Sequence, residues 1–133
     1  MHTKYFIDLI MGNLFGSKVN PTIPGKYYIG LSTATPSVDG TGVKEPSTSG
    51  SGYSRIPVDS FTVPSDGIVK NNSNVEFQES KSSWGVVTHY VVFDSSTGGN
   101  LLFYGELTSA RTIEANSIVI LKQNEIQLSL TNK

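Results

Sequence analysis

The side chains able to do chemistry are few in this sequence. His2 and His89 are its histidines, the groups suited to exchanging protons near neutral pH. His89 lies in an apolar run and shares alternate positions with Val87, Val91 and Phe93, which predicts a hydrogen-bonded structural histidine. Asp39 and Glu45, with loop carbonyls between them, are of a type that holds calcium, yet two carboxylates in a flexible loop make a poor site. Asp66, Glu76, Glu79 and Glu106 would have to converge in space to act as an acid pair on a glycoside, and their spacing does not favour it. No Gly-x-Ser-x-Gly elbow occurs. The glycines of Asp39-Gly40-Thr41-Gly42 lack the strand-to-helix context and third glycine of a nucleotide loop. There is no cysteine, which excludes disulfides, thiolate metal sites and thiol nucleophiles. The expectation is a chain with no catalytic residue, no cofactor and no metal.

Two arginines and a tryptophan suit contact better than catalysis. Arg55 and Arg111 each stand beside an apolar strand, where a guanidinium fork can pair with a carboxylate such as Glu45 or Glu106. For Arg55 this reads as a lock between loop and sheet. For Arg111 an internal ion pair and an intersubunit contact both stay open. Trp84 before Gly85 has the chemistry of a sugar-stacking platform, although a lone tryptophan at a strand start reads first as core. Asp94 and Asn100 around Gly98-Gly99 serve a turn.

The elements that must carry these residues are mostly strands. Trp84–Leu107 holds two apolar, β-branched and aromatic runs around a Gly-rich turn, the pattern of an antiparallel hairpin too hydrophobic to stand alone. Lys26–Ser32 reads as a strand in which Gly30 marks a bulge or a close approach. Tyr53–Val58 contains Pro57 and belongs at an edge. Shorter fragments follow at Phe61–Val63, Ile68–Val69, Val75–Phe77, Thr112–Ile113 and Ile118–Leu121, with Pro64–Gly67 and Asn71–Asn74 as turns. Glu125–Leu130 alternates cleanly, with Ile126, Leu128 and Leu130 on one face. Roughly eight strands at short spacing predict an all-β, antiparallel, jelly-roll-like β-sandwich with a short N-terminal α-helix.

The helix covers Thr3–Phe15, with Thr3 as N-cap, Gly16 as C-cap, and Phe6, Leu9, Ile10 and Leu14 on one face. That stretch also carries Asp8 and Asn13, and no basic region followed by a small-residue cleavage site, so it reads as neither signal peptide nor membrane span. Pro21 and Pro24 bound a loop. The 133 residues form one domain in this reading, with 1–17 as a helical arm and 33–52 as a long flexible loop. A hydrophobic fraction of 37% with abundant Gly, Ser and Thr fits short strands and many turns. Net charge −1 gives no attraction to nucleic acid or to an anionic membrane.

In order along the chain stand Tyr28-Ile29-Gly30-Leu31-Ser32-Thr33, Asp39-Gly40-Thr41-Gly42 with Glu45, Gly52-Tyr53-Ser54-Arg55, Val75-Glu76-Phe77 and Trp84-Gly85-Val86-Val87-Thr88-His89. Phe93-Asp94 with Gly98-Gly99 and Leu101-Leu102-Phe103-Tyr104-Gly105-Glu106-Leu107 complete the series, which resembles a family of small phage proteins commonly labelled phage tail fibre proteins. The resemblance covers nearly the whole chain. It implies a non-enzymatic virion component, assembled in the bacterial host cytoplasm and partnered by major capsid or tail proteins. A homo-oligomer is expected as well. No internal repeat, heptad or collagen-like period is present, so the chain alone cannot build a long fibre. Two roles follow. One is a structural protein attached in many copies to the particle surface, as capsid decoration or as a tail or neck accessory. The other is a tail-tip receptor-binding module that recognises host surface carbohydrate. The candidate partner contacts are Phe6, Ile10 and Leu14 on the helix, Asp39 and Glu45 in the loop, and Arg111.

Overall fold

The computed structural model describes residues 1–16, 26–59, 61–62 and 68–129. The Pro21–Pro24 loop, the Pro64–Gly67 turn with Asp66, and the strand residues Val63 and Leu130 lie outside the described residues. One helix, α1 (Lys4–Phe15), precedes the strands β1 (Tyr27–Ser32), β2 (Ile56–Val58), β3 (Val69–Lys70) and β4 (Val75–Glu76). Then follow β5 (Gly85–Phe93), β6 (Leu101–Ile113), β7 (Ile120–Leu121) and β8 (Gln127–Leu128). Every pairing is antiparallel, as an all-β chain with an N-terminal helix requires.

The main sheet runs β2-β1-β5-β6. Its centre is the predicted hairpin, closed by a turn in which Gly98 and Gly99 take φ of 57° and 74°. Glycine adopts such angles at no steric cost because it lacks a Cβ. Asp94 fastens this turn by accepting from the Asn100 N–H at 2.8 Å. β2 lies at the sheet edge, and Pro57 pairs there with Tyr28 without needing an outward N–H.

One face of the sheet presents Ile29, Leu31, Val87, Tyr90, Val92 and Phe103 to the principal core. The opposing layer is two short ribbons, β3–β8 and β4–β7, which contribute Val75, Leu121 and Leu128 together with Phe77, Val119 and Ile126. The ribbons stay short because side chains take over their backbone hydrogen bonds. Buried Asn71 accepts from the Ile126 N–H at 2.9 Å and donates to the Lys122 and Ser73 carbonyls. Tyr90 passes over Gly105, where a Cβ would collide with the phenol, and its hydroxyl bonds both the carbonyl and the N–H of Gln127. The second face of the sheet buries Val91, Phe93, Leu101 and Tyr104, with Tyr28 and Val43 packed beside them.

Placing Val87 on one face with His89, Val91 and Phe93 needs correction. The β5–β6 register shifts between Val87 and His89, so Val87 enters the principal core while Val91 and Phe93 face the other way. A bulge inverts the phase of every later side chain, which strict alternation does not foresee.

The helix starts where expected: the Thr3 hydroxyl accepts from the Phe6 N–H at 3.2 Å and donates to the Leu101 carbonyl at 2.6 Å. Gly16 ends it as the expected C-cap, its N–H bonding the Gly12 carbonyl at 2.9 Å from an extended conformation with φ −74° and ψ 141°. Gly30 proves to be a close approach: a Cβ there would lie 2.6 Å from the Tyr53 hydroxyl and 2.8 Å from Glu45 Oε2. Gly30→Ala is expected to lower unfolding free energy by about 1–3 kcal/mol through overpacking. Urea unfolding at pH 7 checks this, and an unchanged midpoint would show that Tyr53 can move aside.

Candidate functional site

Two surfaces concentrate the residues that the sequence marks for contact. The first is a rigid polar junction around Arg55. Its guanidinium forms a two-pronged pair with Glu45, Nε to Oε2 at 3.0 Å and one terminal nitrogen to Oε1 at 2.7 Å. The other terminal nitrogen donates to the Ser95 and Gly98 carbonyls at 2.7 and 2.8 Å. The charge stacks 3.6 Å from the centre of the Phe93 ring, a cation–π contact on top of the second sheet face. The arginine side chain is only 8% exposed and its partner 21%, so both charges are largely out of water and depend on this pairing.

Tyr53 completes the junction. Its hydroxyl donates to Glu45 Oε2 at 2.5 Å and accepts from the Leu31 N–H at 3.0 Å, just past the last β1–β2 residue pair at Ile29 and Ile56. The ring meets Trp84 edge-on and lies parallel to Phe77. Trp84 is 4% exposed and donates its indole N–H to the Ser51 carbonyl, which makes it core and removes it as a stacking platform. The segment 33–52 thus passes over the sheet under firm restraint, with the Thr33 and Lys44 amides bonded back to Lys44 O and Ser32 Oγ.

The second surface is apolar. Phe6 packs edge-on to Phe103 and Leu9 is buried, but Ile10 is half-buried and Leu14 is 68% exposed. These residues therefore do not form the single face expected of them. Each residue turns the helix by about 100°, so Leu14 points roughly 80° away from Phe6. What the spacing hid is a second stripe: Ile7, Met11 and Leu14 recur at helical intervals, flanked by Phe15. Met11 is 52% and Phe15 80% exposed. The N-terminus of α1 meets the 37–41 turn through the Lys4 N–H to Val38 carbonyl bond of 2.8 Å. Val38, 41% exposed, extends the stripe, and a shallow cleft runs between Ile7, Asp8 and Val38. Asp39 is exposed in the same turn, its pKa held below the usual carboxylate value by hydrogen bonds from the Thr41 hydroxyl and amide.

The remaining candidates sit apart. Arg111 donates to the Ile120 carbonyl at 3.0 Å and pairs with Glu125 at 3.3 Å, tying β6 to the ribbons. The two carboxylates considered for calcium are engaged separately, Asp39 with Thr41 and Glu45 with Arg55. Among the described residues no three of His, Asp or Glu gather as a metal-holding group. Glu76 and Glu106 line different clefts.

The family model described as Podophage GP4 fiber I protein gp80 matches residues 3–129, a span that takes in both surfaces. No curated protein matches the chain.

The polar junction has a pH signature. Burial pushes the Tyr53 phenol far above its ordinary value of 10.0, and the adjacent Glu45 charge adds to the rise. The folded chain keeps this proton where the unfolded chain releases it. The stability it contributes is therefore full below about pH 10 and declines as pH rises further. Tyr53→Phe is expected to cost about 1–3 kcal/mol at pH 7, since the buried Leu31 N–H loses its acceptor. In urea unfolding measured across pH, the gap between wild type and Y53F should narrow above about pH 10; a constant gap would contradict the assignment.

Proposed function

We propose that this chain, which belongs to the phage fibre family described as Podophage GP4 fiber I protein gp80, is a non-enzymatic structural component of the virion surface, held there by the outer face of α1 and the adjoining 37–41 turn. The observation that carries this reading is the exposure of Met11, Leu14, Phe15 and Val38 on one side of the chain. Large apolar side chains grouped in this way mark a contact surface. Burying each against a partner contributes roughly 1.5–3 kcal/mol, enough in sum to hold a small protein on a lattice. Ile10 lies beside this stripe and Asp39 on its polar rim, where it favours a partner with a basic group.

The partner is another virion protein, of the capsid or the tail. The fibre description of the family favours a tail or neck appendage over a coat on the head. The chain is set there in many copies during assembly in the host cytoplasm, and repeated attachment multiplies a modest individual affinity. Copies meet one another in a homo-oligomer, for which Arg111, with 31% of its side chain exposed, is a candidate contact. Reading the chain as a tail-tip module with an aromatic sugar platform finds less support, since Trp84 and Tyr53 are both buried.

The combined variant M11S/L14S/F15S tests the attachment. All three residues are exposed, so the isolated protein should unfold within about 0.5 kcal/mol of wild type. Its amount in purified particles, measured by quantitative mass spectrometry, should fall at least about tenfold, since losing three apolar contacts exceeds the ~1.4 kcal/mol worth one factor of ten. Wild-type incorporation of a folded variant would overturn the proposal.

A further inference from the structure

The 37–41 turn carries Asp39-Gly40 at its tip. An Asp-Gly pair is the dipeptide most prone to closing a succinimide ring, because glycine puts no side chain in the path of its own amide nitrogen. Gly40 takes a φ of 87°, in the left-handed region that favours glycine, so the turn itself calls for the reactive neighbour. Asp39 is exposed, and a Cβ at Gly40 would meet nothing within 4 Å, so neither burial nor crowding shields the pair. The same dipeptide at Asp66-Gly67 lies outside the described residues.

Hydrogen bonds occupy both reacting groups instead. The Gly40 N–H, whose nitrogen would attack, donates to the Ser37 carbonyl at 2.9 Å. The Asp39 carboxylate, whose Cγ would be attacked, accepts through Oδ1 from the Thr41 hydroxyl at 2.6 Å and from the Thr41 N–H at 3.0 Å. These bonds, the hydroxyl's foremost, hold the carboxyl below its ordinary pKa and therefore in the ionised form, which is the poorer electrophile. A bond of 2.8 Å from the Ser37 N–H to the Thr41 carbonyl closes the turn on itself. Attack of the Gly40 nitrogen on Cγ must wait until the turn opens, as exchange of a protected amide does.

We propose that Asp39 is a modification site, converted to isoaspartate at a rate set by the opening of the 37–41 turn, with Thr41 as its latch. In the opened turn the Gly40 nitrogen bonds to Asp39 Cγ, and the carboxyl OH leaves with the amide proton as one water. A second water then opens the ring. Breaking the Cγ–N bond restores aspartate. Breaking the bond from nitrogen to the main-chain carbonyl carbon leaves Gly40 joined through Cγ, with no net change in mass. The main chain then runs through Cβ and is one methylene longer. The bonds among Ser37, Gly40 and Thr41 span that insertion and do not all survive it. Val38, whose carbonyl receives the Lys4 N–H at the start of α1, is displaced with them. The inference does not rest on the attachment proposed for α1.

The test follows isoaspartate at residue 39 by electron-transfer peptide mapping of the full chain, incubated at pH 7 in native buffer and in concentrated urea. The native wild type should convert at least about tenfold more slowly than the unfolded chain. Thr41→Ala, at an exposed position and shown folded by its circular dichroism, should raise the native rate about 5- to 10-fold, the loss of one charged hydrogen bond, and leave the urea rate unchanged. Thr41→Ser keeps the hydroxyl and should stay within about twofold of wild type. Equal rates in the native and unfolded chains would overturn the proposal. So would a native T41A rate equal to wild type, a T41A increase that persists in urea, or a native T41A chain free of isoaspartate at 39 when the urea sample has accumulated it. In the converted native chain the Lys4 amide should lose its protection from hydrogen exchange; retained protection would overturn the displacement of Val38.

Discussion

The guanidinium of Arg55 is the point at which the irregular half of this chain is fastened to the regular half. It holds the Glu45 carboxylate, the carbonyls of the 94–100 turn and the Phe93 ring at once. Such a group is stable out of water only when its donors are used and its charge is matched. Both conditions are met, and the consequence reaches beyond the ion pair. By fixing Glu45, the arginine draws segment 33–52 across the second sheet face, where Val43 packs beside Val91, Phe93, Leu101 and Tyr104. Without that cover, an apolar sheet face would stand open. Gly30 supplies the room that Tyr53 and Glu45 need directly over β1. One ion pair, one phenol and one missing side chain therefore act as a single device, and they explain how a sheet of modest size can be buried on both faces.

Much of this was legible from residue order alone, and the reason is locality. The hairpin, its Asp94–Asn100 turn, the edge position of Pro57 and the Thr3 cap depend on side chains within a few positions of one another. Long-range features were legible only in part. Arg55 read as a loop-to-sheet lock, but Glu45 and Glu106 were equally good partners by type, and only folding decides between acids far apart in sequence. The ribbons show the same limit. Asn71 and Tyr90 replace ladder bonds across separations of 55 and 37 residues, so strands that look longer in sequence end early. The bulge before His89 was hidden for another reason. Period-two counting assumes an unbroken ladder, and the extra residues of β6 are what aim His89 and Glu106 together.

The helix shows how a pattern can be present and still be misread. Steps of four from Phe6 through Ile10 to Leu14 look like one face, yet they spiral around the axis. Phe6 and Leu9 face the core, while Leu14 belongs to an outer stripe with Ile7 and Met11. A helix apolar on two sides is built to be covered on two sides. The sheet covers one, and the other is the face for which an occupant among the neighbouring virion proteins is proposed above.

The claim that the outer stripe of α1 is the virion-facing surface is tested most directly by photocrosslinking. A p-benzoylphenylalanine placed at Leu14, and in a parallel preparation at Thr97 on the exposed hairpin turn, would be irradiated in intact particles. The account predicts that position 14 crosslinks to another virion protein while position 97 does not. Crosslinks from position 97 with none from position 14 would contradict it, and would place the attachment at the loop end.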